Sequence, residues 1–307
     1  MNTQPLISVI VVFYNMTREA PRTLFTLSAG YQKDIDSSHY EVIAVDAGSD
    51  EPLDPLMVYG HGSNFRLLRF EPAPSPASAI NKAVLVSKSE IVMICIDGAR
   101  ILSPGILHFT LAAFRAFRNP VVATMAYHLG SAMQNYSMQD GYNQKEEDRL
   151  LDSVNWRQDG YELFRIACLA GSSQEGLFRP IGESNCLSVT RGDYDSMGGL
   201  NEDFISPGGG LVNLDFYKRA VSLDRALVML LGEGTFHQFH GGVATNVPMS
   251  QHPGKLFHEE YMQIRGISFV KSDREALLLG SVPAQLMPFV AKSVQYVINE
   301  DGNGCFH

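Results

Sequence analysis

Short apolar runs alternate with amphipathic stretches over the first hundred residues. "LISVIVVFYN" (6–15) is β-branched, of strand length, and stopped by Asn15. A helix is predicted over 17–31, with Thr17 as N-cap. "YEVIAVDAGSD" (40–50) reads as a second strand ending at an aspartate, and "FRLLRFE" (65–71) as a shorter third. "SPASAINKAVLVSKS" (75–89) has helical spacing, and "EIVMICID" (90–97) is a fourth strand with no polar face. Strands without a polar face that alternate with helices imply a largely parallel sheet covered on both sides. Ligands of such sheets sit beyond the carboxyl ends of the strands, where Asn15, Asp46 and Asp97 all fall.

The second half is less regular. Ser103 and Pro104 open a predicted helix over 103–120 that Pro120 closes, with Ser103 as N-cap. Residues 121–130 form a predicted strand, and 131–165 a polar and aromatic stretch combining helix and loop. "ESNCLSVTR" (183–191) precedes a glycine-rich stretch in which a loop opens a helix near Leu211. "RALVMLL" (225–231) is a strand, followed by "GTFHQFHGG", and the tail from 251 is helical in parts.

Composition narrows the function. A net charge of −9 over 307 residues provides no basic field for nucleic acid, but leaves room for a local pocket that binds one phosphorylated small molecule. The cysteines at 95, 168, 186 and 305 form neither a CxxC pair nor zinc-like spacing. The amino terminus lacks the basic and apolar regions of a signal peptide, and no apolar run has the length of a membrane span, so a cytoplasmic location with at most peripheral membrane contact is expected. GxGxxG, P-loop and GxSxG patterns are absent, which disfavours a nicotinamide-binding Rossmann enzyme, a P-loop NTPase and a serine hydrolase.

Taken in order, "SVIVVFYN", "VIAVDAGSDE", an apolar strand ending in "ID", and "GGLNEDF…GGG…LDFYKRA" resemble the family 2 glycosyltransferases of the GT-A fold. The similarity spans about 3 to 240. It implies an α/β, Rossmann-like mixed and mostly parallel sheet flanked by helices, a GT-A-like domain over 1–245, and a C-terminal helical extension over 246–307 packed on it. The implied reaction moves a hexose from a UDP- or GDP-linked donor to a glycan, lipid-linked or other hydroxyl acceptor, as in polysaccharide biosynthesis. The alternative is a catalytically inactive protein of this fold that keeps nucleotide binding.

The resemblance assigns roles residue by residue. Phe13, Asn15 and Asp46 fall where the family holds the nucleoside, and Asn81 in the 75–89 helix joins the donor-binding candidates. An ionised Asp46 would accept a charge-assisted bond from a base N–H; it equally suits a cap for its own turn. Asp97 keeps the first carboxylate of the family's D-x-D motif, whereas Ala99 replaces the second. A divalent cation, Mn²⁺ or Mg²⁺, would then be held by Asp97 with a late histidine, His240 ahead of His237. Arg100 offers another charge for the diphosphate, because a guanidinium forks onto phosphate oxygens.

Where inverting members carry Glu-Asp before their last helix, this chain has Val212 and Asn213, and an amide cannot act as a base. Asp215 is then the candidate base, with Glu202 and Asp203 as alternatives on the acceptor side. "VNLDFYKR" also resembles the E-N-L-E-L-S-F-R stretch of retaining polypeptide GalNAc-transferases, so the stereochemical outcome stays open.

Overall fold

The computed structural model describes residues 4–301. The first half comprises β1 (Ile7–Phe13), α1 (Ala20–Thr26), β2 (Tyr40–Asp46), α2 (Pro55–Tyr59), β3 (Phe65–Arg69), α3 (Ala77–Val86), β4 (Ile91–Cys95) and β5 (Arg100–Leu102). There follow α4 (Ile106–Ala116), β6 (Val121–Leu129), α5 (Gln134–Ser137), α6 (Gln144–Asp152), β7 (Ala167–Leu169) and β8 (Leu187–Thr190). The rest is α7 (Arg191–Ser196), α8 (Val212–Val221), β9 (Leu227–His237), α9 (Gly254–Arg265), β10 (Leu277–Gly280) and α10 (Met287–Asp301).

The described strands form one mixed sheet in the order β10-β9-β6-β8-β4-β1-β2-β3, with β5 on β9 and β7 on β6. β1, β2, β3 and β4 are mutually parallel, as the alternation of apolar runs with helices implied, while β8 inserts antiparallel beside β4. Because side chains alternate across a strand, each run feeds two cores. Ile10, Val12, Ile43, Val45, Val92 and Ile94 pack on one face with α3 and α8 residues. Val9, Val11, Phe13, Val42, Ala44 and Met93 pack on the other with α1 and α4 residues. The tail contributes the edge strand β10, parallel to β9, as well as its helices. Among the described residues no helix is long and apolar enough to cross a membrane; Cys305 lies outside them.

Three elements differ from their sequence reading for physical reasons. α1 is shorter than 17–31, and its N-cap position is Glu19, not Thr17; beyond it the chain bends so that the Tyr31 hydroxyl donates to Leu102 O. Ser103 does not cap α4. Its hydroxyl donates to buried Glu233, and the Gly105 N–H donates to the same carboxylate at 3.0 Å. A carboxylate from β9 thus serves the positive end of α4, a tertiary partner that local sequence does not show. β9 extends six residues beyond 225–231, through Gly232 at φ +82° and on to His237. That extension carries a histidine to the sheet's carboxyl edge.

Candidate functional site

The "IVMICIDGARIL" segment is two strands and a reversal. Gly98 makes the reversal fit, since a Cβ there would stand 2.3 Å from the Phe13 ring and 2.4 Å from Val12 O. Asp97 fastens the turn by accepting the Ala99 N–H at 3.0 Å. The chain then enters β5, where Arg100 pairs opposite His237 of β9, and His128 of β6 lies in register on the other side of His237. Three basic side chains therefore occupy one row across the sheet, beside the Asp97 carboxylate. The His128 and His237 rings are 5.1 Å apart.

The electrostatics of this row follow from burial. Burial opposes charge on Asp97, but Arg100 Nε at 3.0 Å and the two nearby imidazoles hold its carboxyl well below the usual carboxylate range. Burial and the Arg100 charge push His237 down to about 4, against the pull of Asp97, so its ring is neutral at pH 7. Burial and the same two neighbours, His237 and Arg100, lower His128 well below its ordinary value.

His237 Nε2 lies 3.3 Å from Asp97 Oδ2, and His240 Nε2 lies 3.9 Å from Asp97 Oδ1. One ligating atom from each of the three residues falls within 4.8 Å of the others. The segment carrying His240 is fixed from both sides: Glu147 accepts the Phe239 N–H at 2.6 Å, and Asn246 accepts the N–H groups of residues 240, 241 and 242. Gly242 leaves the ligating edge of His240 open, because a Cβ there would meet its Nε2 at 2.9 Å. One carboxylate and two imidazoles gathered this closely suit a divalent transition metal better than Mg²⁺, which prefers an all-oxygen shell.

The other expected residues have different surroundings. Phe13 is fully buried beneath Gly98, so its side chain is core; Tyr14, 50% exposed, is the accessible aromatic of that turn. Asn15 exchanges side-chain bonds with Asp50 at 2.8 and 3.0 Å and donates its N–H to Ser49 Oγ, locking the two loops at the strand ends together. Asp46 accepts the Ser49 and Leu53 N–H groups on its two oxygens, which is the turn-capping role. Asn81 is committed to the 199–202 loop, bonding Tyr194 Oη, both polar groups of the Leu200 backbone, and Glu202. Arg100 is 5% exposed, so it supports Asp97 from beneath rather than presenting its fork to a diphosphate. Its Nη1 is buried without a hydrogen-bond partner among the described residues.

Asp215 is buried, and its two oxygens are bonded by Arg219 Nε at 2.8 Å and by Arg265 Nε and Nη2 at 2.7 Å. That geometry is an ion-pair clasp between α8 and α9, and it corrects the expectation that Asp215 is available as a base. Asp215→Asn is expected to lower unfolding stability by about 2–3 kcal/mol, under the range for a fully buried pair because both arginines are partly exposed. Metal affinity should stay unchanged, and denaturant melts with parallel metal titrations check both parts.

Of the residues near Asp97, Glu183 is one that the motifs did not single out. Ala99 is buried, so its side chain faces the core; His237, ranked behind His240 from sequence, stands nearer to Asp97 than His240 does. Glu183, from the connection before β8, accepts the Asn213 Nδ2–H at 2.6 Å. Burial raises its carboxyl above the ordinary value, against the Asn213 bond and Arg100, and Asp97 adds to the rise. A carboxylate thus stands beside Asn213. Only the amide at 213, in need of an acceptor, hinted at it.

No family model and no curated protein matches this sequence. Among solved structures, a mannosyltransferase from Pyrobaculum calidifontis in complex with GDP-Man and Mn²⁺ is similar over 99% of this chain and 77% of its own, at 13% identity and TM-score 0.52. Residues 1–349 of S. aureus TarS align over 97% of this chain and 74% of theirs, at 13% identity and TM-score 0.49. The S. aureus TarS chain aligns at 14% identity and TM-score 0.48, and this chain spans 35% of its length. The likeness to the mannosyltransferase shows the fold: a mixed, mostly parallel GT-A-like sheet flanked by helices, with a C-terminal helix.

Proposed function

We propose that the protein is a glycosyltransferase that takes a hexose from a UDP- or GDP-linked donor and delivers it to a hydroxyl of a glycan or lipid-linked acceptor. The observation that carries this reading is the convergence of Asp97, His237 and His240 at the carboxyl edge of a GT-A-like sheet. The Pyrobaculum neighbour of this fold was solved with GDP-Man and Mn²⁺, which supports the same ligand classes here. A divalent cation bound by the three side chains would supply positive charge to the departing diphosphate.

The chain's own residues have the remaining roles. Arg100 keeps Asp97 ionised and the His237 ring neutral, as metal ligands must be. Glu183, oriented by Asn213, is placed to accept the proton of the attacking hydroxyl. As the acceptor oxygen bonds to the anomeric carbon, the bond from that carbon to the phosphate oxygen breaks, and the hydroxyl proton passes to the Glu183 carboxylate. Catalysis then rests on positioning and on stabilising the leaving group.

Incubation with a panel of UDP- and GDP-sugars and Mn²⁺, followed by measurement of released UDP or GDP, tests the reading. Slow release from one donor, accelerated by an acceptor sugar, is the expected result. Tight nucleotide binding with no release from any donor would favour the inactive alternative.

A further inference from the structure

Bare distances leave open which nitrogen of His237 carries the proton. The neighbouring hydrogen bonds resolve it, starting from backbone N–H groups, which can only donate. Asn246 is buried, and one end of its amide faces the N–H groups of His240, Gly241 and Gly242 at 3.0, 3.0 and 3.2 Å. That end must be the oxygen. The other end is therefore the amino group, and it meets Gln134 at 2.7 Å. Gln134 must present its oxygen there, which leaves its own amino group to donate to His237 O at 3.0 Å. The same Gln134 oxygen lies 2.8 Å from His237 Nδ1. An acceptor at that distance needs a donor opposite it, so the ring proton sits on Nδ1.

The consequence falls on the other nitrogen. In a neutral ring with Nδ1 protonated, Nε2 is a bare lone pair, and here it points at the Asp97 carboxylate 3.3 Å away. The Thr245 hydroxyl, 3.3 Å from Nε2, can donate to it or turn its own oxygen inward. Without a cation, two acceptors face each other; with one, both become ligands. We propose that Asn246 and Gln134 form a polarity relay that reads three backbone N–H groups and fixes the Nδ1–H tautomer of His237, turning its Nε2 lone pair toward Asp97 and His240 to receive a divalent cation. Gln134 and Asn246 are positioning residues that act through His237. They also tie the two metal-bearing segments together, because the N–H groups at the start of the relay belong to the His240 loop. The inference rests on the metal reading above.

The test uses the full chain labelled with ¹⁵N-histidine, free of metal at pH 7.5, and Mn²⁺ alone as the titrant. Long-range ¹H–¹⁵N spectra should show His237, assigned by comparison with His237→Gln, with Nδ1 as the protonated nitrogen and Nε2 as the bare one. Gln134→Leu removes the acceptor at similar volume, so its His237 should shift toward the Nε2–H form, and Mn²⁺ affinity should fall about 10–100-fold. An Nε2–H tautomer in the wild type overturns the relay even if Mn²⁺ binds. Unchanged Mn²⁺ affinity in a folded Gln134→Leu also overturns it. Should Gln134→Leu not fold, the wild-type spectrum decides alone. A wild type with the Nδ1–H tautomer that binds no Mn²⁺ supports the tautomer assignment and defeats the metal reading instead.

Discussion

Asp97→Asn is expected to abolish Mn²⁺ binding and to lower unfolding stability by about 3–5 kcal/mol, the range seen when one partner of a buried ion pair is removed. The first effect follows because Asp97 is the only carboxylate in the cation-facing triad. The second follows from Arg100, whose guanidinium is buried and whose ion pair among the described residues is with Asp97 Oδ2 at 3.0 Å. An amide would take away the carboxylate that this cation is paired with inside the sheet. Arg100→Met in the same chain should recover most of the lost stability without restoring metal binding, which separates the two effects in one pair of denaturant melts. A melting temperature unchanged by Asp97→Asn alone would show that Arg100 finds another partner and would remove the supporting role given to it here.

Glu183→Gln is expected to reduce glycosyl transfer about 10²–10⁴-fold, the usual contribution of a positioned proton acceptor. Mn²⁺ and nucleotide affinities should stay within about twofold, since the proton-accepting step concerns the attacking hydroxyl and not the diphosphate. Stability should hold or rise, because burial already disfavours the charged form of this carboxyl. Asn213 can still bond the new amide through its reoriented side chain. Transfer rates measured with the donor that shows turnover, beside calorimetric affinities, check the prediction. Equal rates in wild type and variant would exclude Glu183 from proton transfer.

Much of the scaffold was legible because strands buried on both faces read as near-continuous apolar runs. The runs at 6–15, 40–50 and 90–97 needed no tertiary information to be read. The end of β9 was not legible, since Gly232 and Gly234 interrupt its apolar run; Gly234 keeps its place because a Cβ there would press on the Tyr127 ring at 2.5 Å. Asp97 and the "FHQFHGG" histidines were visible as candidates in the sequence, and the fold brings them together at the sheet's carboxyl edge.

Residue roles were harder, for a physical reason. An aspartate at a strand end suits a ligand or its own turn equally well, and only the bonds to Ser49 and Leu53 distinguish the two for Asp46. Asn81 and Asp215 likewise depend on partners 119 and 50 residues along the chain, in the 199–202 loop and in α9 respectively. Glu183 was silent because its meaning comes from Asn213, thirty residues later and on another element.

Calorimetric titration with GDP and UDP, in Mn²⁺ and again in EDTA, tests most directly whether Asp97, His237 and His240 hold a cation that binds the donor diphosphate. One nucleotide should bind in Mn²⁺, with affinity at least tenfold weaker in EDTA, a difference of about 1.4 kcal/mol or more. Equal affinity in the two conditions, or no binding of either nucleotide, would contradict the assignment.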